Sequence, residues 1–270
     1  MAQSAMDQRL SHPDAITFRW IFPQEAHLCY SLNQSLTAQK QVYFKSENKW
    51  LKGLEHIETL SGDCEFRGTG DGSAHGILTL KVVKIQNGDT EQPLTPDLQK
   101  KQKAAEFILH ADGSIDPSDP GIPRDTLLLL RLLFGLPETP LKEHEGKTFA
   151  FRKFTQDEVI ASQVKGAISY LFEGFETIDG YACAFLSCQI DLQTTSNTIK
   201  EFKPTVWKGT GKIYFAITQG RIQRMDWKIA KKLEIEENKK PSVKYIEIIS
   251  LDSFYHLKDS DSDLTNMGEE

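Results

Sequence analysis

The sequence lacks the recognisable signatures that most enzymes and membrane-spanning proteins carry. No apolar run approaches the roughly 20 residues that a bilayer-spanning helix needs, because the longest, Leu127 to Phe134, is interrupted by Arg131. The histidines are scattered without the H-E-x-x-H spacing of a zinc site, and there is no G-x-S-x-G elbow. We therefore predict no cofactor, no metal site and no catalytic motif, while a triad assembled from distant segments stays open.

Cysteine is also scarce, and the chain has no excess of positive charge. The four cysteines, Cys29, Cys64, Cys183 and Cys188, form no C-x-x-C pair. An odd spacing along a strand places Cys183 and Cys188 on opposite faces, so two interpretations remain: buried free thiols, or disulfides that join other pairs. The net charge of −6 comes from interspersed acids and bases. This argues against nucleic-acid binding, which normally requires a basic stripe.

What the sequence does contain is period-two alternation of apolar and polar residues, which is typical of strands. Turn signals at Asn87-Gly88, Asp179-Gly180 and Gln219-Gly220 separate several of the runs. Residues 89–103 read as a loop or a short polar helix, and 49–60 would also suit a helix. The predicted strands are 18–22, 27–37, 41–44, 49–60, 76–86, 107–109, 148–154, 167–177, 181–192, 207–218, 221–234 and 242–255.

One helix is predicted at residues 124–135, where Leu-rich sequence follows Pro123 and ends at Gly135 and Pro137. Its leucines are not confined to one stripe, so we expect it to be buried on much of its surface. The fold class that follows is mainly β (α+β), with curved antiparallel meandering sheets and few helices.

A strand–turn–strand phrase that occurs in each half, at Phe107 to Ile115 and at Gly209 to Asp226, suggests two related halves. The predicted organisation is a flexible N-terminus, a single β-rich unit, and a disordered acidic tail. The N-terminus is residues 1–15, the β-rich unit is 16–257, and the tail is 258–270. The unit consists of two halves, 16–120 and 145–257, joined by the helix.

Two polar segments resemble ligand-binding loops and are better explained as turns. The Gly-rich run Arg67 to Gly76 leads into a strand, whereas a phosphate cradle leads into a helix N-terminus. Asp112, Asp116 and Asp119 supply oxygen ligands close in sequence, but they lack calcium-loop spacing. We therefore expect turn-forming aspartates there.

The aromatic side chains of the strands have two interpretations. They pack in an ordinary core, which we favour, or they line an apolar cavity on the concave side of a curved sheet that holds a lipid or other hydrophobic ligand. The candidate lining residues are Trp20, Phe22, Tyr30, Phe172, Trp207 and Phe215.

Several short motifs between residues 105 and 230 resemble those of a bacterial family of exported proteins and lipoproteins of unknown function. They are the helix exit Gly135 to Leu141, the strand start Gly146 to Phe149, the hairpin Asp179 to Cys183, and the strand pair from Gly209 to Ile222. The family is similar to periplasmic lipoprotein carriers. The resemblance implies a curved antiparallel sheet with helices on its inner side, and it implies no functional residue.

The sequence therefore favours a non-enzymatic envelope-associated or secreted protein that binds a hydrophobic ligand or lipid. A protein-interaction or surface-adhesion module and an enzyme with dispersed active residues are the alternatives. Partners would be a lipid, another hydrophobic small molecule or a protein, with no nucleic acid and no transmembrane segment. The expected location is the cell envelope or the exterior if a signal peptide is removed from the native protein, and otherwise the cytoplasm.

Overall fold

The computed structural model describes residues 15–24, 26–44, 48–95, 102–118, 124–151, 164–194, 205–236 and 243–257. These residues form one open antiparallel sheet of twelve strands and one helix, which confirms the predicted fold class. The strands are β1 (His27–Phe44), β2 (Lys49–Gly68), β3 (Ala74–Asn87), β4 (Thr90–Gln92), β5 (Gln102–Leu109), β6 (Ile115–Pro117), β7 (Gly146–Ala150), β8 (Val164–Ile178), β9 (Tyr181–Thr194), β10 (Thr205–Ala216), β11 (Arg221–Glu236) and β12 (Val243–Leu257). The helix, α1, spans Arg124–Phe134.

The strand order is β6-β5-β3-β2-β1-β12-β11-β10-β9-β8-β7, with β4 paired to β3. Two meanders therefore lie side by side and run in the same direction across the sheet, and they join where β1 pairs with β12. Because β6 and β7 lie at opposite edges, the connection that carries α1 has to return across the sheet. This order is compatible with a duplicated half, and the duplication stays a prediction.

One face of the sheet, here called the core face, carries the buried side chains. Tyr30, Tyr170 and Trp227 lie on it, and α1 packs there with its leucines buried on several sides. Even Arg131 is fully buried, and its Nε and Nη2 atoms donate to the carbonyl of Ile115 at 3.2 and 3.0 Å. A helix covered on most of its surface matches the sequence expectation. We call the opposite side of the sheet the outer face.

The first predicted strand, residues 18–22, is not a strand of the sheet. The alternation is real, since Phe18, Trp20 and Phe22 are buried between exposed neighbours. The backbone, however, makes only scattered bonds, from Trp20 N to Ala111 O and from Ile21 N to Gly220 O, both at 2.8 Å. The segment is extended and packs across the core face, and burial alone produces the period that sequence analysis reads as a strand.

The other predicted strands are present, several of them longer than predicted. Residues 27–37 and 41–44 belong to one strand, β1, and 49–60 is strand β2 and not a helix. The three turn signals join β3 to β4, β8 to β9 and β10 to β11. Within 89–103, residues 90–92 and 102–103 are strand. Three predicted segments lie wholly or largely outside the described residues: the two tails, residues 152–154, and the rest of the polar stretch 89–103.

Candidate functional site

A groove of about 1020 Å³ crosses the outer face of the sheet. Its lining residues follow the strand register closely. Residues directly opposite one another in neighbouring strands point to the same face, and the next residue along each strand points to the other. The floor is the backbone of one register row, which includes Gly211 and five residues whose side chains point to the core face: Lys147, Tyr170, Cys188, Trp227 and Gln34.

Two further rows form the walls of the groove, one on each side of the floor. The first wall carries mixed side chains, namely Leu171, Ser187, Lys212, Asp226, Phe254 and Asn33. The second wall is rich in hydroxyl and amide groups and consists of Thr148, Ser169, Gln189, Thr210, Lys228, Ser35 and Thr59. The groove thus reaches from β7 to β2. Seven interstrand steps of ~4.8 Å give a length of roughly 34 Å.

The Gly209-Thr210-Gly211 sequence explains how the floor is built. A Cβ atom added to Gly211 would lie 2.4 Å from the Trp227 ring, and one added to Gly209 would lie 2.6 Å from the Lys228 carbonyl oxygen. Glycine therefore lets the Trp227 ring lie flat against β10 on the core face. The intervening Thr210 points to the outer face and contributes to the groove wall.

Cationic side chains stand along the middle of the groove. Arg224 donates to the Asp226 carboxylate at 3.3 Å, and its guanidinium lies 4.9 Å from the Phe254 ring centroid and 5.9 Å from that of Tyr214. The Lys212 ammonium lies 5.8 Å from the centroid of Phe185. Lys228 is exposed on the opposite wall and also borders a second depression of about 380 Å³. Among the described residues that line this part of the groove, these three cations accompany one acid, Asp226.

An apolar cluster borders the first wall of the groove, beside Arg224. Cys183, Tyr214 and Ala216 are buried there on the outer face, and Phe185 stacks on Tyr214 with ring centroids 5.0 Å apart. Burial of Tyr214 raises the pKa of its phenol. Arg221 covers Tyr181 at 5.2 Å from the ring centroid. The outer face therefore combines apolar surface with arginines that lie over aromatic rings.

The six predicted lining residues lie in the packed core and not in the groove. Trp20, Phe22 and Phe215 belong to one aromatic cluster, in which Trp20 stacks on Phe22 at 5.6 Å. The Tyr30 hydroxyl donates to the Ile222 carbonyl at 2.7 Å, and its burial raises the pKa of the phenol. Phe172 and Trp207 are also buried in this core. Their role in ligand binding stays a prediction.

Sequence analysis missed the groove because it followed the buried half of each alternation. The groove uses the other half, where hydroxyl side chains recur at alternate positions, such as Ser169 in β8, Ser187 in β9 and Thr210 in β10. An exposed strand face that is rich in Ser and Thr was the available signal. It does not identify a site until the strands are in register.

The turn interpretation is confirmed for the Gly-rich segment and for Asp112, whereas Asp116 lies in strand β6 and not in a turn. Between β2 and β3, Asp71 accepts hydrogen bonds from the Ser73 hydroxyl, the Ser73 amide and the Thr69 hydroxyl at 2.6, 2.9 and 2.6 Å. These bonds, led by the Ser73 hydroxyl, lower the pKa of Asp71. Asp112 accepts from the Ser114 amide and hydroxyl in the same way, and Asp116 pairs with His110 at 2.9 Å. Asp119 lies outside the described residues.

All four cysteines are free thiols. Cys64 lies opposite Tyr30, and Cys29 lies opposite Glu65, so the two thiols occupy opposite faces of neighbouring strands. Cys188 points to the core face and Cys183 to the outer face, as their spacing predicted. Burial raises the pKa of the Cys64 and Cys188 thiols and raises that of Cys183 to about 11. None of these three is poised as a thiolate.

Metal and membrane features were searched across the described ranges. No helix among them has the length and apolar character required to cross a membrane. In the same part of the chain, no three His, Cys, Asp or Glu side chains converge as a metal site would require.

No known family model and no curated protein matches the chain. Among solved structures, the chain is similar to a structure of lipid–protein interactions in lipovitellin, with a TM-score of 0.43 and 14% sequence identity. The match covers 85% of this chain and 25% of the lipovitellin chain. This chain thus spans about a quarter of that protein. The resemblance to a bacterial exported family stays a prediction.

Proposed function

We propose that this protein binds an elongated anionic amphiphile of the lipid class in the outer-face groove, without transforming it. The observation that supports this most directly is a groove that crosses eight strands and places cations beside apolar and hydroxyl-bearing walls. The proposed ligand site thus lies on the face of the sheet opposite to the aromatic lining residues that the sequence predicted.

The size and lining of the groove support a long ligand. Its volume of about 1020 Å³ lies at the upper end of the ~300–1,000 Å³ range of small-molecule sites. Carbon atoms make up most of its exposed surface, supplied in part by Leu171, Phe254 and the threonines. An acyl chain lying along this surface removes carbon from water at both partners.

The charges of the groove support an anionic head group. Arg224, Lys212 and Lys228 lie near the centre, and Asp226 is the one acid among the described residues that line the groove. The Glu173 carboxylate adjoins the first wall, where it accepts a hydrogen bond from the Ser187 hydroxyl at 2.7 Å. Arg224 is held by Asp226 and by the Phe254 ring, so its guanidinium is already positioned before a ligand arrives. A pre-positioned guanidinium binds carboxylates and phosphates through paired hydrogen bonds.

The test compares ligands that share one chain and differ in charge. Oleate and oleyl alcohol are titrated against the protein by displacement of a fluorescent fatty acid. We expect oleate to bind about tenfold more tightly, because charge-assisted hydrogen bonds reach only the anion. Arg224→Gln should remove most of this difference and leave the binding of the alcohol unchanged.

Two threonine substitutions distinguish binding in the groove from binding elsewhere on the protein surface. Thr210→Trp places an indole on the groove wall, whereas Thr177→Trp places the same side chain at an exposed β8 position outside the groove. We expect Thr210→Trp to abolish displacement and Thr177→Trp to preserve it. Equal binding by both variants would show that the groove is not the site. Binding of a neutral oligosaccharide in place of oleate would contradict the ligand class.

The envelope location is a separate proposal, because it was inferred from the resemblance and does not depend on the groove. Fractionation of the native cells with an antibody against the protein tests it. Recovery in the soluble cytoplasmic fraction would overturn the location and leave the ligand proposal in place.

A further inference from the structure

The end of the β1–β2 hairpin extends beyond the core. The first buried residue of β2 is Leu60, and every residue from Lys49 to Glu55 is exposed. Leu51 precedes Leu60 by nine positions along the strand, which is about 30 Å at ~3.3 Å per residue. We call Val42, Tyr43 and residues 48–54 the hairpin tip.

The hairpin tip is apolar on both of its faces. Trp50 lies opposite Tyr43 and Leu51 lies opposite Val42, and neighbouring positions on a strand point to opposite faces. Trp50 and Tyr43 pack together with ring centroids 4.9 Å apart. A strand pair that leaves the core normally turns polar on at least its solvent side. This one presents apolar side chains in both directions.

Within the described part of the chain, the exposed large apolar side chains are concentrated at the hairpin tip. Five large apolar side chains are exposed among the described residues, and Trp50, Leu51 and Leu54 account for three of them, at 45%, 45% and 79% exposure. Isolated exposed apolar residues are ordinary, whereas a contiguous group marks an interaction surface.

The charges of the tip indicate the partner. Lys49 and Lys52 flank Trp50 and Leu51, and no acid occurs between Asn48 and Leu54, although Glu47 and Glu55 bound this stretch in sequence. The whole chain has a net charge of −6. An anionic surface therefore repels most of this protein and attracts the tip. Tryptophan with flanking lysines is the side-chain combination that a bilayer interface favours, because the ring occupies the headgroup level and lysine reaches the phosphates.

We propose that the hairpin tip docks the protein on an anionic lipid bilayer, with Trp50, Leu51 and Leu54 inserted at the interface and Lys49 and Lys52 on the headgroups. The site lies on different residues from the groove and does not depend on what the groove binds. Docking by a few side chains is reversible and sensitive to salt.

The intact protein offers a site-specific probe of this docking. Of its four tryptophans, Trp20, Trp207 and Trp227 are buried and Trp50 is exposed. Vesicles of phosphatidylcholine with about 30% phosphatidylserine, made with brominated acyl chains, should quench Trp50 fluorescence. Pure phosphatidylcholine vesicles should quench it far less. Trp50→Phe should lose the quenched component and still sediment with the anionic vesicles.

Charge and apolar variants test the two parts of the tip. The double variants Lys49→Glu with Lys52→Glu, and Leu51→Ala with Leu54→Ala, should each weaken vesicle binding by about tenfold or more. Val83→Ala, at an exposed apolar residue of β3, is the matched control and should bind as the parent does. Urea unfolding of each variant verifies that the fold is retained.

Three outcomes would overturn the docking proposal. They are the absence of sedimentation with anionic vesicles, binding that the Lys49→Glu and Lys52→Glu double variant leaves unchanged, and a concentration-dependent dimer that Leu54→Ala dissociates. The last would assign the tip to a second copy of the chain. Thr210→Trp, which fills the groove, should retain vesicle binding, so failure of the ligand proposal is distinguishable from failure of docking.

Discussion

The two tryptophan positions Trp20 and Trp50 give a direct test of where the core ends. Trp20 is 2% exposed, its ring lies within 6.3 Å of the Phe22, Phe66, Phe134 and Phe215 rings, and its Nε1 donates to the Phe134 carbonyl at 3.2 Å. Trp50 is 45% exposed and packs on Tyr43 at the hairpin tip. The substitution Trp→Ala removes the same atoms at both positions.

The magnitude follows from burial. A tryptophan side chain buries ~200 Å², and at ~25 cal/mol per Å² its loss is worth about 5 kcal/mol. Measured truncations of buried aromatics cost about 3–5 kcal/mol, because the site partly relaxes. We expect Trp20→Ala to lower the free energy of unfolding by about 4 kcal/mol. Trp50→Ala should lower it by only about 2–3 kcal/mol, because nearly half of this side chain is already exposed.

Urea unfolding followed by far-ultraviolet circular dichroism measures both variants without relying on tryptophan fluorescence. The dependence of the unfolding free energy on urea should stay unchanged, which makes the midpoints comparable. Trp20→Phe keeps an aromatic ring and leaves the Phe134 carbonyl without its donor, at an expected cost of about 1–3 kcal/mol. Equal losses for the two alanine variants, or a Trp20→Ala cost below ~1 kcal/mol, would refute the assigned packing of residues 15–24.

Three further predictions concern single side chains. Tyr30→Phe should cost about 1–3 kcal/mol, because the buried Ile222 carbonyl loses its donor, whereas Tyr43→Phe at the tip should cost less than ~0.5 kcal/mol in the same urea assay. In the folded protein, iodoacetamide should alkylate Cys29 first and reach Cys64, Cys183 and Cys188 only on unfolding, as mass spectrometry of the labelled peptides can show. The hydrogen bond from His56 Nδ1 to the Asn87 side-chain oxygen raises the pKa of His56. The stabilisation from this bond is therefore fully present below the ordinary histidine pKa and is lost as pH rises through the folded-state value. Asn87→Ala should move the ring-proton titration of His56 to lower pH, and an unmoved titration would contradict the assignment.

Much of the fold was predictable from local pattern. Most strands were located by alternation and by three turns, at Asn87-Gly88, Asp179-Gly180 and Gln219-Gly220. This was possible because neighbouring residues determine both the burial period of a strand and the positive φ angles of a hairpin turn. The helix at 124–135 was predicted within one residue of its observed end, Phe134. The error at residues 18–22 has the same origin, since burial period does not report whether the backbone is paired.

The groove required the tertiary structure. Alternation shows that Ser169, Ser187 and Thr210 share the polar half of their strands, but it does not place them side by side. Their alignment depends on interstrand register, and the groove is completed only where β12 pairs with β1, which brings Phe254 opposite Asn33. Residues so far apart in sequence become neighbours only when the two meanders join.

The sequence by itself thus determined a mainly antiparallel β fold with one buried helix, because side-chain period and turn chemistry are local properties. Only the tertiary structure decided that six strong aromatic candidates pack in the core, and that a cation-bearing groove lies on the other face. It also decided that Trp50, Leu51 and Leu54 are exposed at the end of the β1–β2 hairpin. Each of these depends on which strands are neighbours and on where the core stops, and both are set by the packing of the whole chain.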